Sequence, residues 1–254
     1  MRSVKVIGVG MGNPRHLTAE AVDAIRSVDA FLILEKGSAA DELADLRRDL
    51  CRSVAGASSC RFVQVPDPPR DRSSEEYVGA VRDWTAARSS VLLEAMETDL
   101  LPGQIAGILA WGDPAFYDST LRVLEEGRRS GALQVEVVPG ISSIQMLAAA
   151  HRISLTRVGR PLQVTTGRRL AEDGVPPGCD DVVVMLDGHC SFRYLDPDGL
   201  HIYWGADLGG PQQALVAGDL AEVADTIVAR RAEVRARRGW VMDTYLIRRG
   251  VTER

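Results

Sequence analysis

Short runs of β-branched and aliphatic residues alternate along this chain with longer stretches in which apolar residues recur every three or four positions. Val4 to Val9 is the first such run; glycines close it, and it predicts a buried strand. Thr18 then offers an N-cap to a helix whose apolar face is Val22, Ile25 and Val28. Ala30 to Leu34 predicts a second strand. Leu43, Leu46 and Leu50 predict the buried stripe of a second helix, with arginines on its other side. Phe62 to Val65 reads as a third strand, closed by Pro66-Asp67-Pro68-Pro69 and an exposed loop through Arg72. A long helical pattern runs from about Ser74 to Leu100, with Tyr77, Val81, Trp84, Val91 and Leu92 as core candidates. Gln104 to Ala110 (strand), Ser119 to Gly127 (helix), Val135 to Val138 (strand) and Ser142 to Ala150 (helix) continue the alternation.

The second half changes character. Leu162–Thr165, Val182–Leu186, His201–Trp204, Ala214–Ala217 and Trp240–Ile247 predict strands with fewer helices between them. One strong helix, Leu220 to Arg237, carries Val223, Ile227 and Val234 inward. A mainly parallel sheet with helices on both faces is expected first, then a mixed sheet, in an α/β protein of two domains. The boundary is placed near residue 118, giving 1–118 and 119–254.

Composition narrows the class. Among 254 residues, 45% are hydrophobic and 26% charged, as in ordinary globular proteins. No apolar run is long enough to span a bilayer, and the chain enters a strand almost at once, with no signal pattern. A cytoplasmic location without membrane attachment is expected. A formal net charge of −5 argues against nucleic acid as a partner. All but two of the 30 basic residues are arginine, a side chain whose fork grips carboxylates. Cys51, Cys60, Cys179 and Cys190 have no metal-ligand spacing, and the four histidines are scattered, so reduced thiols and no metal are expected.

Three glycine-bearing turns follow strands, where α/β sheets gather ligand sites. Gly8-Val9-Gly10-Met11-Gly12 lacks the spacing of a dinucleotide fingerprint, and Pro14 stiffens its exit. Alone it reads as a tight turn with close backbone packing. Trp111-Gly112-Asp113-Pro114 offers a carboxylate that either meets a ligand or caps the next helix. Pro139-Gly140-Ile141-Ser142-Ser143 presents two hydroxyls at a helix start, where capping and ligand contact are compatible.

Together with Gln213 to Leu220, these ordered motifs make the chain resemble the tetrapyrrole methylase family almost end to end. The resemblance implies two α/β domains with S-adenosylmethionine (SAM) in a cleft between them, and a homodimer. It implies that SAM and its product S-adenosylhomocysteine (SAH) meet Met11, Trp111, Gly112, Asp113, Phe116, Ser142, Ser143, Leu186, Asp187 and Leu208. Phe31 to Gly37, Trp111 to Leu121 and Val184 to Phe192 are most similar to the deacetylating corrin methylases. For that branch the implied reaction moves the SAM methyl to C-1 of precorrin-5 and releases acetate. Holding a ring carbon roughly 3–3.5 Å from the methyl, in line with the C–S bond, is then the main task. Release of acetate would profit from a base and an oxyanion donor, for which Tyr117 and Asp118 are candidates. Arg15, His16, Arg152 and Arg157 flank the motif loops and are candidates for the substrate's carboxylates. Two alternatives stay open. One is another SAM methylase of this fold, acting on a different corrin, on diphthine precursors or on ribosomal RNA. The other is a non-catalytic nucleotide-binding module.

Overall fold

The structure, a computed structural model, describes residues 1–35, 38–56, 60–69 and 77–250. The expectations for Lys36, Gly37, Arg72 and a helix start at Ser74 fall outside those residues. The chain forms two compact units, Met1–Ser142 and Ser143–Arg254.

In the first unit, strands β1 (Arg2–Gly8), β2 (Ala30–Glu35), β3 (Phe62–Pro66), β4 (Ile105–Ala110) and β5 (Leu133–Val138) make one sheet in the order β3-β2-β4-β1-β5. Every pairing in it is parallel. Alternate residues serve opposite faces. Val4 and Val6 join Leu32, Ile108, Leu92 and Met96 in one core, beneath α3 (Tyr77–Asp99) and α4 (Thr120–Arg129). Ile7 and Val9 join Phe31, Leu109, Ile25 and Leu50 in the other, beneath α1 (Ala19–Ser27) and α2 (Ser38–Ala55). Thr18 caps α1 as its sequence predicts, its Oγ1 accepting from the Ala21 amide at 3.0 Å. The expected boundary near 118 falls between β4 and α4. Because β5 pairs with β1, α4 and β5 build the first unit's layers.

Two details of the first unit depart from expectation. The inner face of α1 is made by Ala21, Ala24 and Ile25, while Val22 is only half-buried, because small residues let the helix approach the sheet. Arg47 does not lie with the outer arginines of α2: its guanidinium lies over the Trp111 ring.

In the second unit, β6 (Leu162–Thr166), β7 (Asp181–Met185), β8 (Leu200–Ala206), β9 (Ala214–Asp219) and β10 (Asp243–Arg249) run in the order β6-β7-β10-β8-β9. Only the β6–β7 pair is parallel, so the sheet is mixed as expected. Helix α5 (Ser143–His151) covers one face through Ile144 and Leu147. Helices α6 (Gly167–Asp173) and α7 (Leu220–Arg238) cover the other through Leu170, Leu220, Ile227 and Val234. The sequence pattern does not predict α6, since seven residues are too few to display a helical period. Among the described residues no helix is long and apolar enough to cross a membrane. No group of three or more His, Cys, Asp or Glu side chains among them could hold a metal ion.

Candidate functional site

At the carboxyl ends of β1, β4 and β5 the first unit ties three turns together through backbone. Gly10 N–H donates to the Gly112 carbonyl at 3.2 Å, and Gly112 N–H returns to the Gly10 carbonyl at 2.7 Å. A Cβ on Gly140 would lie 2.1 Å from the Gly112 oxygen, and one on Gly8 would lie 2.5 Å from the Gly140 nitrogen. Those contacts are backbone on backbone, so no side chain can stand there. The motif glycines therefore serve a crossing of three strand ends.

Asp113 fastens the crossing. Its Oδ2 accepts from the Gly140 amide at 2.9 Å, and its Oδ1 from the Ala115 amide at 2.8 Å. Among the expected alternatives, a bond from one turn to the next was not foreseen, because 27 residues separate Asp113 from Gly140. Trp111 lies across Gly12, where an added Cβ would meet its ring at 3.1 Å. Met11 is half-buried, and Phe116 is 38% exposed. Ser142 is buried at the end of this unit.

Tyr117 and Asp118 follow on the way to α4. Tyr117 holds φ at 52°, a left-handed conformation that a bulky residue rarely adopts. Burial pushes its phenol above the usual range. Asp118 Oδ1 accepts from the Thr120 amide at 2.7 Å, so the carboxylate also shapes the start of α4. Of the two basic residues in the turn after β1, Arg15 is exposed and His16 half-buried. Asn13 stiffens that turn by accepting from the Arg15 amide at 3.0 Å.

In the second unit, β7 ends at a turn built around Asp187. Its buried carboxylate accepts from the amides of His189 (3.0 Å) and Ser191 (2.6 Å), from Ser191 Oγ (3.0 Å) and from the Tyr245 hydroxyl (2.6 Å). Arg231 donates to the Asp187 carbonyl at 3.0 Å and is itself held by Asp243 at 2.9 Å. Burial and the Asp187 charge raise the Tyr245 phenol well above its ordinary range, so it stays a donor. Asp187 thus faces inward, while Leu186, in a left-handed conformation with φ 54°, stands 66% exposed beside it. Leu208 is buried in the core with Ile144, Leu147, Val183 and Leu246. Ser143 accepts from Thr244 Oγ1 at 2.8 Å.

Arg152 is exposed, with φ 56° just past the end of α5. Arg157 is committed to a buried network: its Nε donates to Asp181 at 2.8 Å, and Arg248 grips the other Asp181 oxygen. The residues that sequence reasoning passed over are Arg47, Tyr245 and Arg231. Arg47 left a signal, for it follows Leu43 by four and precedes Leu50 by three, on the apolar stripe of α2.

Residues 3–224 match the family model described as Tetrapyrrole (Corrin/Porphyrin) Methylases. The chain is 40% identical over 252 residues to "Precorrin-6A synthase [deacetylating]" of Sinorhizobium sp, covering 98% of this chain and 96% of that protein. A solved structure of a protein related to cobalamin synthesis (CobF) from Corynebacterium diphtheriae superposes with a TM-score of 0.79 at 33% identity, covering 98% and 99% of the two chains. A uroporphyrin-III C-methyl transferase of Thermus thermophilus, solved with S-adenyl homocysteine, shares the fold at TM-score 0.59 and 18% identity, covering 99% and 98%.

Proposed function

The chain belongs to the tetrapyrrole (corrin/porphyrin) methylase family, and from that premise we propose that it methylates precorrin-5 at C-1, releasing acetate and giving precorrin-6A. The support for this particular step is the 40% identity to a deacetylating precorrin-6A synthase over nearly the whole of both chains. The donor is SAM, which supplies an electrophilic methyl on a sulfonium that departs as a neutral thioether.

The first unit's turns fit that donor. The glycine crossing presents backbone rather than side chains, and Trp111 carries a buried Nε1–H without an acceptor among the described residues. Met11, Trp111, Gly112, Asp113, Phe116 and Ser142 are the proposed donor contacts there. Asp113 acts by holding the Gly140 turn against its own. In the second unit, Ser143, Leu186, Asp187 and Leu208 are proposed contacts on the resemblance. The inward carboxylate of Asp187 and the buried side chain of Leu208 favour contact through backbone.

A reaction of this kind needs placement more than a strong nucleophile. For acetate release, Tyr117 is the proposed proton donor to the developing oxyanion, in keeping with its raised phenol, and Asp118 the proposed base toward water. Arg15, His16 and Arg152 stand as proposed contacts of the substrate's acid side chains, whereas the bonds of Arg157 to Asp181 favour a structural role. The same reading includes a homodimer in the cytoplasm.

The test is incubation with methyl-labelled SAM and precorrin-5, followed by mass analysis of the corrinoid and an acetate assay. One labelled methyl and one acetate per product are expected. A methylated corrinoid without acetate would assign a different step of the family, and no labelled corrinoid would reject the reading.

A further inference from the structure

Seven arginines among the described residues are buried or half-buried: Arg2, Arg47, Arg48, Arg88, Arg157, Arg231 and Arg248. Six of them donate to a carboxylate or a backbone carbonyl. Arg47 is the exception. It makes no ion pair and no hydrogen bond among the described residues, and its Nε is buried without an acceptor. Its guanidinium sits 5.2 Å from the centre of the Trp111 ring. The Asp118 charge nearby favours the cation, yet desolvation outweighs it and lowers the Arg47 pKa to about 10. A desolvated cation with no bonded partner is a costly thing to keep in a fold.

The neighbouring groups share the deficit. Trp111 Nε1 and His16 Nδ1 are also buried without partners among the described residues. All three belong to one wall of the first unit. Trp111 lies on Gly12, His16 packs beside Gly10, and the turn Pro14–His16 rests on α2. An arginine and an indole N–H can only donate, so what satisfies them both is an acceptor. The positive charge makes that acceptor an anion, and the planar fork suits a carboxylate.

We propose that Arg47, with Trp111 Nε1 beside it, is the anchor for a ligand carboxylate at the turns after β1 and β4. This rests on the function proposed above, in which two molecules carry such a group: the amino-acid end of the methyl donor and the acid side chains of the precorrin.

R47Q, R47M and R47K test it. SAH and 5′-methylthioadenosine, which lacks the carboxylate, are titrated by calorimetry, and KM and kcat are measured for precorrin-5. Loss of one bidentate charged contact weakens affinity roughly 10- to 100-fold. If the donor supplies the carboxylate, R47Q and R47M weaken SAH by that factor and leave 5′-methylthioadenosine unchanged. If the substrate supplies it, KM for precorrin-5 rises by that factor at nearly constant kcat, and SAH binds as before. R47K recovers part of either loss. The urea midpoint of R47M stays at or above that of wild type, because an unpaired buried charge has been removed. Unchanged SAH affinity together with an unchanged KM for precorrin-5 overturns the proposal. So does a loss that touches SAH and 5′-methylthioadenosine equally, or one that comes with a lowered midpoint and no rescue by lysine. Should the wild type bind SAH in an Arg47-dependent way yet fail to methylate precorrin-5, the functional reading falls and the anchor stands.

Discussion

Gly140 and Gly131 look alike in the sequence and are opposite in the fold. A Cβ at Gly140 would stand 2.1 Å from a carbonyl oxygen of another turn, whereas Gly131 has φ 75° and nothing within 4 Å. At Gly131 an alanine meets only the backbone preference, a cost of about 1 kcal/mol. At Gly140 it must push apart the ends of β4 and β5, and overpacking of that kind costs about 3 kcal/mol or more. Urea unfolding should therefore rank Gly140→Ala well below Gly131→Ala, and calorimetry should find SAH binding weakened only in the former. Equal midpoints for the two variants would mean that the crossing yields easily and is no rigid frame. The same logic explains Asp113: its carboxylate joins two turns that glycine alone brings close.

Between elements, the join of α3 to the end of β3 rests on a buried ion pair. Arg88 grips Asp67 with both prongs at 2.5 Å, stacks on Trp84 with its guanidinium 3.9 Å from the ring centre, and reaches Ser119. Arg88 is 3% exposed. Asp67→Ala leaves that charge stranded and should cost about 3–5 kcal/mol in chemical denaturation. The double change Asp67→Leu with Arg88→Met removes both charges and should recover most of the loss; a double variant no better than the single would show that the pair itself stabilises the join. The pairing also marks how far the sequence can be read. Strands such as β1 and helices such as α1 were legible because their signals are local: an apolar run, a cap, a period. The three turns were legible because Gly10, Gly112 and Gly140 each follow a strand. Asp67 read as part of an exposed loop, since its partner is 21 residues away. Arg47 read as one more outer arginine, since its consequence depends on Trp111, far along the chain. Asp187 announced itself as a motif residue, but its inward turn depends on Tyr245, 58 residues on.

At the scale of the whole molecule, each unit has its own sheet and its own pair of cores, and each buries a group that ionises in alkali. In the first, burial pushes the Cys51 thiol up to about 12, with Cys60 adding to the shift. In the second, burial and the Asp187 charge raise the Tyr245 phenol. An exposed thiol ionises near 8.5 and an exposed phenol near 10. Above those values the unfolded chain gives up protons that the folded chain retains, so the free energy of unfolding falls as pH rises. The contribution is whole below about pH 8 and shrinks toward the raised folded values. Arg47, whose pKa desolvation lowers to about 10, acts in the opposite sense and makes the decline shallower. Denaturation midpoints should hold level from pH 7 to 8 and decline from pH 9 to 11. Cys51→Ala and Tyr245→Phe should each lower the midpoint at neutral pH and each flatten the alkaline decline. Residues in separate cores act independently, so the two flattenings should add in the double variant. A double variant that declines as steeply as wild type would place the titrating groups elsewhere.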